Sequence, residues 1–143
     1  MSENKQSYSI PPAPDNSDRA NDLSRRIEDE MGWGMWVIDI AVRAKFRCEY
    51  CDRDLLASAD AYKEWQHDHI IPKRVKEDDG PNNMALSCRA CNVNFKGKWD
   101  PSYDLPDNAS RAELIRAARA YVAKKRTVAF EEVIKVRRIV YGE

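Results

Sequence analysis

Two Cys-x-x-Cys pairs, Cys48/Cys51 and Cys88/Cys91, constrain this chain more than any other feature. They contain all four cysteines, and both histidines lie between them in His67-Asp68-His69-Ile70-Ile71-Pro72. Paired knuckles of this kind bring four thiolates to one tetrahedral zinc, filling its coordination sphere and leaving no position for water. The 36 residues between the pairs are more than a simple zinc ribbon needs. One structural zinc per chain is therefore expected, clipping together the ends of an inserted unit. Two reduced thiol pairs without metal are the alternative.

The compartment bears on that choice. No apolar run approaches the roughly 18 residues that span a membrane. The opening MSENKQSYSIPPAPDNSD lacks the apolar centre of a secretory signal. The cytoplasm, where thiols stay reduced, is the expected location. The 143 residues suit one soluble domain with a modest core. Net charge is zero, so the whole chain is no polycation. Residues 1–34 carry a net of −3, residues 35–108 a net of −2, and residues 109–143, with 9 Lys/Arg against 4 Asp/Glu, a net of +5. A basic tail can steer a polyanion, or it can be an ordinary solvated helix face.

Local patterns divide the chain further. Residues 1–17, rich in Ser, Pro and Asn, are expected to form a disordered or loosely packed arm. Residues 18–46 form a helical lead-in: Asp18 or Asn21 caps a helix through Leu23 and Ile27, Gly32-Trp33-Gly34 interrupts it, and a second helix carries Trp36, Val37, Ile40 and Ala41. The tryptophans are expected in the core. Residues 47–98 form the metal-bearing core, with a short strand after the first knuckle. A strand over Trp65–Ile71 ends at Pro72, and a returning strand spans Met84–Ser87. Asn92–Lys98 opens a helix with Asn92 and Lys96 on one face. Residues 99–108 are a proline-punctuated linker. In the basic segment 109–143, Ser110 and Glu113 resemble a capping box. Its last stretch has mostly helical spacing, although its Val and Ile content leaves a strand open.

Asp68-His69-Ile-Ile-Pro, then Asn83, then Cys-x-x-Cys-Asn92 and Lys96, resembles the HNH endonuclease family over roughly Val37 to Lys98. The resemblance implies an α+β fold: a zinc-clipped ββα-metal core with flanking N- and C-terminal helices. It implies a histidine on a β-hairpin, a metal ligand on the following helix, and products with 5′ phosphate and 3′ hydroxyl ends. It also gives Asn83 the task of orienting the hairpin loop and the histidine.

The chemistry of these side chains agrees. Phosphodiester hydrolysis needs an activated water, a cation on the phosphate and help for the leaving oxygen. His69 is suited to take a proton from water near neutral pH. Asp68 offers a hard anionic oxygen and Asn92 a neutral amide oxygen, a donor set that suits Mg²⁺ or Mn²⁺ sharing waters and phosphate oxygens. Lys96 and Arg89 are candidate phosphate contacts, as are Lys73, Arg74 and Lys98. His67 shares a face with His69 if the strand is regular; a second ligand, a substrate contact and a surface histidine all remain open for it. DNA is the expected partner. A homodimer or a larger protein partner through the C-terminal helices is left open. A catalytically silent zinc module binding nucleic acid or protein is the main alternative. A zinc hydrolase of another class is disfavoured, because His-x-His-x-Asp-His is absent.

Overall fold

Composition makes the segment before Pro72 a strand, and pairing makes it half of a hairpin. In the computed structural model, which describes residues 17–143, β1 (Trp65–His69) pairs antiparallel with β2 (Met84–Cys88). The register sets His67 opposite Leu86, Asp68 opposite Ala85 and His69 opposite Met84. Every residue of β2 is buried, whereas every residue of β1 is half-buried. The hairpin therefore presents polar β1 side chains around an apolar partner. Alternation puts Gln66 and Asp68 on one face of β1 and Trp65, His67 and His69 on the other.

The chain divides into two units, Met1–Phe46 and Arg47–Glu143. The arm expected over residues 1–17 lies outside the described residues except for Ser17. In the first unit, α1 (Ser17–Met31) packs on α2 (Met35–Arg43). Because α1 begins at Ser17, Asp18 and Asn21 lie inside it and do not precede it. Gly32, at φ +68°, ends α1 and donates its N–H to the Glu28 carbonyl at 2.8 Å. The expectation for the tryptophans is corrected: Trp36 is 59% exposed and Trp33 half-buried, while Ile38, Ile40 and Ala41 are the buried face of α2. Of the stripe that helical spacing marked, Ile40 and Ala41 turn inward, and Trp36 at its edge does not.

The second unit runs knuckle, α3 (Ala59–Lys63), hairpin, helix. Ser58 caps α3, its hydroxyl accepting the Ala61 N–H at 3.0 Å. The strand expected after the first knuckle is reduced to one antiparallel bridge, Arg47 with Asp54. The helix after the second knuckle is a π-helix, Ala90–Phe95, closed by a 2.8 Å bond from Lys96 N–H to the Cys91 carbonyl five residues back. The basic tail is one continuous helix, α4 (Arg111–Tyr141), with no strand. Its capping box is complete: the Ser110 hydroxyl accepts the Glu113 N–H at 3.1 Å, and the Ser110 N–H donates to the Glu113 carboxylate at 2.7 Å. The fold is thus α+β, a small two-stranded sheet with flanking helices and a four-cysteine cluster that fits a zinc-clipped core.

Candidate active site and zinc cluster

All four cysteine sulfurs lie within 4.8 Å of one another, positioned to form a zinc site. Sulfurs at the corners of a tetrahedron with bonds of about 2.3 Å stand roughly 3.8 Å apart, and Cys51 Sγ and Cys88 Sγ are separated by 3.8 Å. Hydrogen bonding to Cys51 draws the Cys48 thiol down to about 6, and bonding to Cys48 pulls Cys88 lower still. The same contacts with Cys48 push Cys51 and Cys91 up. Four sulfurs this close cannot all ionise without a cation among them. The backbone holds the cluster in shape. Glu49 N–H bonds the Leu86 carbonyl at 2.8 Å, and the Glu49 carboxylate accepts the Leu86 N–H at 2.8 Å, so the first knuckle is stapled to β2. From α4, Arg126 donates to Cys91 Sγ at 3.3 Å and Cys88 Sγ at 3.8 Å, with its guanidinium 4.4 Å above the Phe95 ring. A zinc tetrathiolate carries a net negative charge, which that guanidinium offsets.

Asp68 on β1 and Asn92 on the π-helix each bond across to the other element or its cap. The Asp68 side chain is 12% exposed, and its Oδ2 accepts from the Tyr50 hydroxyl at 2.7 Å and pairs with Lys96 Nζ at 2.9 Å. Lys96, expected at a phosphate or in solvent, is fully buried instead. Its ammonium also donates to the His69 carbonyl at 3.2 Å and lies 5.6 Å from the Tyr50 ring centre. Asn92 donates its amide to the Gln66 side-chain oxygen. That bond fixes the amide so that its own oxygen is turned away from Gln66. A carboxylate oxygen and an amide oxygen are the donor types a hard cation takes, but Asp68 Oδ2 is already engaged by Tyr50 and Lys96.

His69 closes the strand. Its Nε2 meets Asp79 Oδ1 at 2.7 Å, and Lys73 Nζ lies 3.8 Å from the other oxygen of Asp79. The His69 bond, followed by Lys73, lowers the Asp79 carboxyl below its ordinary range. Asn83, 4% exposed, spends its amide on the segment after His69. Its Oδ1 accepts the Ile71 N–H at 2.9 Å, and its Nδ2 donates to the carbonyls of Ile71 at 3.1 Å and Asp78 at 2.9 Å. The Asn83 carbonyl accepts the Ile70 N–H at 2.8 Å. One buried amide thus ties the loop carrying Asp79 to the strand end carrying His69. His67 lies beside Trp65, and burial lowers its basicity. Arg89 is exposed between β2 and the π-helix, and Arg74 is bonded to the Lys98 carbonyl at 2.8 Å.

Three partners were not singled out from the sequence: Tyr50, Gln66 and Asp79. Strand parity was the available signal for Gln66, two residues before Asp68. Tyr50 sits inside a knuckle, where the cysteines draw attention. Asp79 lies in an acidic loop, Glu77-Asp78-Asp79-Gly80, where composition says turn and nothing more.

The fold and its residues define a class: a hairpin followed by a helix, clipped by four cysteines, with Asp and His ending the first strand and Asn on the helix. Residues 48–96, about a third of the chain, match the family model of the HNH endonuclease. An HNH domain of this kind points to a nuclease or nucleic-acid-binding function. No curated protein matches the chain.

Proposed function

We propose that the protein is a metal-dependent endonuclease that hydrolyses DNA phosphodiester bonds, with His69 as general base. The observation that carries this is the pair of opposite assignments on consecutive residues. Asp68 pairs with Lys96 at the end of the π-helix and Asn92 bonds Gln66 on the same face of β1, while His69 lies on the other face of β1 and has one ring nitrogen engaged by Asp79. A carboxylate on Nε2 orients the ring and leaves Nδ1 to take a proton from water. Asp79 is therefore a positioning residue, and Asn83 fixes the loop that carries it. Asp68 and Asn92 would hold Mg²⁺ or Mn²⁺, which when bound neutralises charge at the phosphate and the leaving 3′ oxygen. Exposed Arg89 stands available to a phosphate. The reduced thiols suit a cytoplasmic protein.

One observation favours the alternative, a silent zinc module that binds nucleic acid or protein. The Lys96 ammonium already neutralises Asp68. A cation at Asp68 must share the carboxylate with Lys96 or displace it.

Plasmid nicking by zinc-loaded protein with added Mg²⁺ or Mn²⁺ separates the two. His69→Ala should lower the rate by about 10²–10⁴-fold with zinc content and circular dichroism unchanged. Asp79→Ala should cost on the order of tenfold, and Asp79→Asn, which keeps an acceptor for Nε2, less. Cleavage that survives His69→Ala would remove the assignment. DNA binding without cleavage under either metal would establish the silent module.

A further inference from the structure

We infer that the second half of α4 is a contact surface for a second copy of this chain, joined as a short parallel two-stranded coiled coil. The first half of α4 buries Leu114, Ala118 and Val122, four residues apart on one face. Two turns further along that face comes Ala129, then Val133, Val136 and Val140, at spacings of four, three and four. The buried stripe therefore continues past Arg126, but there it lies open: Val133 is 49% exposed, Val136 56% and Val140 61%. Isolated exposed apolar residues are ordinary, but a stripe that continues a buried face is not.

The spacing makes Val133 and Val140 the a positions of a heptad and Ala129 and Val136 the d positions. The flanking charges choose the partner. Glu132 falls at g and Arg137 at the following e, the pair that meets between helices in a parallel dimer, so each copy supplies the charge the other lacks. Arg137 bonds Glu143 of its own chain, with both side chains about half exposed. An exposed pair of that kind holds little against an alternative partner. Thr127 to Tyr141 extends about 22 Å, room for two heptads. Alanine and valine at d fill less space than the leucine usual there, so the contact is weak, with a dissociation constant on the order of 10 µM.

Sedimentation velocity of the zinc-loaded full chain, across roughly 1–200 µM to bracket that value, should show monomer giving way to dimer. Val133→Asp and Val136→Asp, both at exposed positions, should leave a monomer of unchanged helicity and zinc content. Glu132→Arg and Arg137→Glu should each weaken the dimer a few-fold, and mixing the two variants should restore it as a heterodimer. A chain that stays monomeric at the highest concentration overturns the proposal, whether the face then takes a foreign helix or a lipid surface. A dimer indifferent to the valine and charge changes overturns it equally. None of these measurements depends on catalysis.

Discussion

Lys96 shows how much a single buried charge decides. An ammonium taken out of water is costly unless it is paired and hydrogen-bonded. Here it has the Asp68 carboxylate at 2.9 Å, the His69 carbonyl at 3.2 Å and the face of Tyr50. The pair binds the π-helix to the end of β1, across 28 residues of chain. Removing one partner strands the other, so Lys96→Met should cost about 3 kcal/mol, at the low end for a buried pair because Asp68 keeps some exposure to solvent. Urea denaturation of the zinc-loaded protein measures this. Mg²⁺ or Mn²⁺ should return part of the loss in the variant by binding only the folded state at the carboxylate that lysine left. A variant as stable as the parent would mean that the ammonium does not reside on Asp68 in solution.

At the level of elements, α4 is two objects in one helix. Up to Arg126 it is docked. Arg111 donates to the Glu49 carboxylate at 2.7 Å and the Met84 carbonyl at 2.9 Å, Arg119 to the Glu49 carbonyl at 2.9 Å, and Arg126 to the cysteine sulfurs. These arginines stand eight and seven residues apart, flanking the buried Leu114, Ala118 and Val122. Two of them bond Glu49 within the first knuckle, so a knuckle that loosens releases the helix. Removing zinc should therefore raise hydrogen exchange over residues 111–126 toward the rate of 127–141, with little change in the latter. Protection that persists over 111–126 after complete removal of zinc would show that α4 docks independently of the cluster. The capping box and the hairpin were legible in the sequence, because Ser110, Glu113 and Pro72 act through their own backbone neighbourhood. The unbroken length of α4 was not, since Val and Ile favour strands and here lie on an exposed helix. Nor was the π-helix legible. A hydrogen bond that reaches one residue further back leaves no mark in composition, and the contacts of Asn92 and Lys96 with Gln66 and Asp68 of β1 come from packing. The four-cysteine cluster could be read directly from its two Cys-x-x-Cys pairs, and Asp68, His69, Asn83 and Asn92 stood out by order and spacing. Their partners Tyr50, Gln66 and Asp79 did not, because tertiary packing alone recruits them.

Across the whole chain, zero net charge and a +5 tail leave open where affinity for a polyanion would originate. The structure reduces what the tail offers. Of its nine cations, Arg111, Arg119, Arg126 and Arg137 are engaged with groups of this chain, and Lys125 lies 5.4 Å from the Tyr121 ring centre. Arg116, Lys124, Lys135 and Arg138 lie exposed on the side of α4 opposite the apolar stripe, interrupted by Glu113 and Glu131. Beside His69, Lys73 is drawn to Asp79 and Lys76 lies near Asp78, each at 3.8 Å. Each phosphate neutralised by a cation contributes about −0.9 to the slope of log Kobs against log salt on duplex DNA. With roughly three or four cations able to reach phosphates, the slope should be about −3 to −4, well short of a strongly basic DNA-binding protein. Fluorescence anisotropy of labelled duplex over a salt series measures it. Replacing Arg116, Lys124, Lys135 and Arg138 by Gln should flatten the slope by about one for each phosphate no longer neutralised, leaving zinc content and helicity as they were. A parent slope steeper than about −6 would require cations beyond these, and an unchanged slope in the variant would move the DNA-binding face from α4 to the loop beside His69.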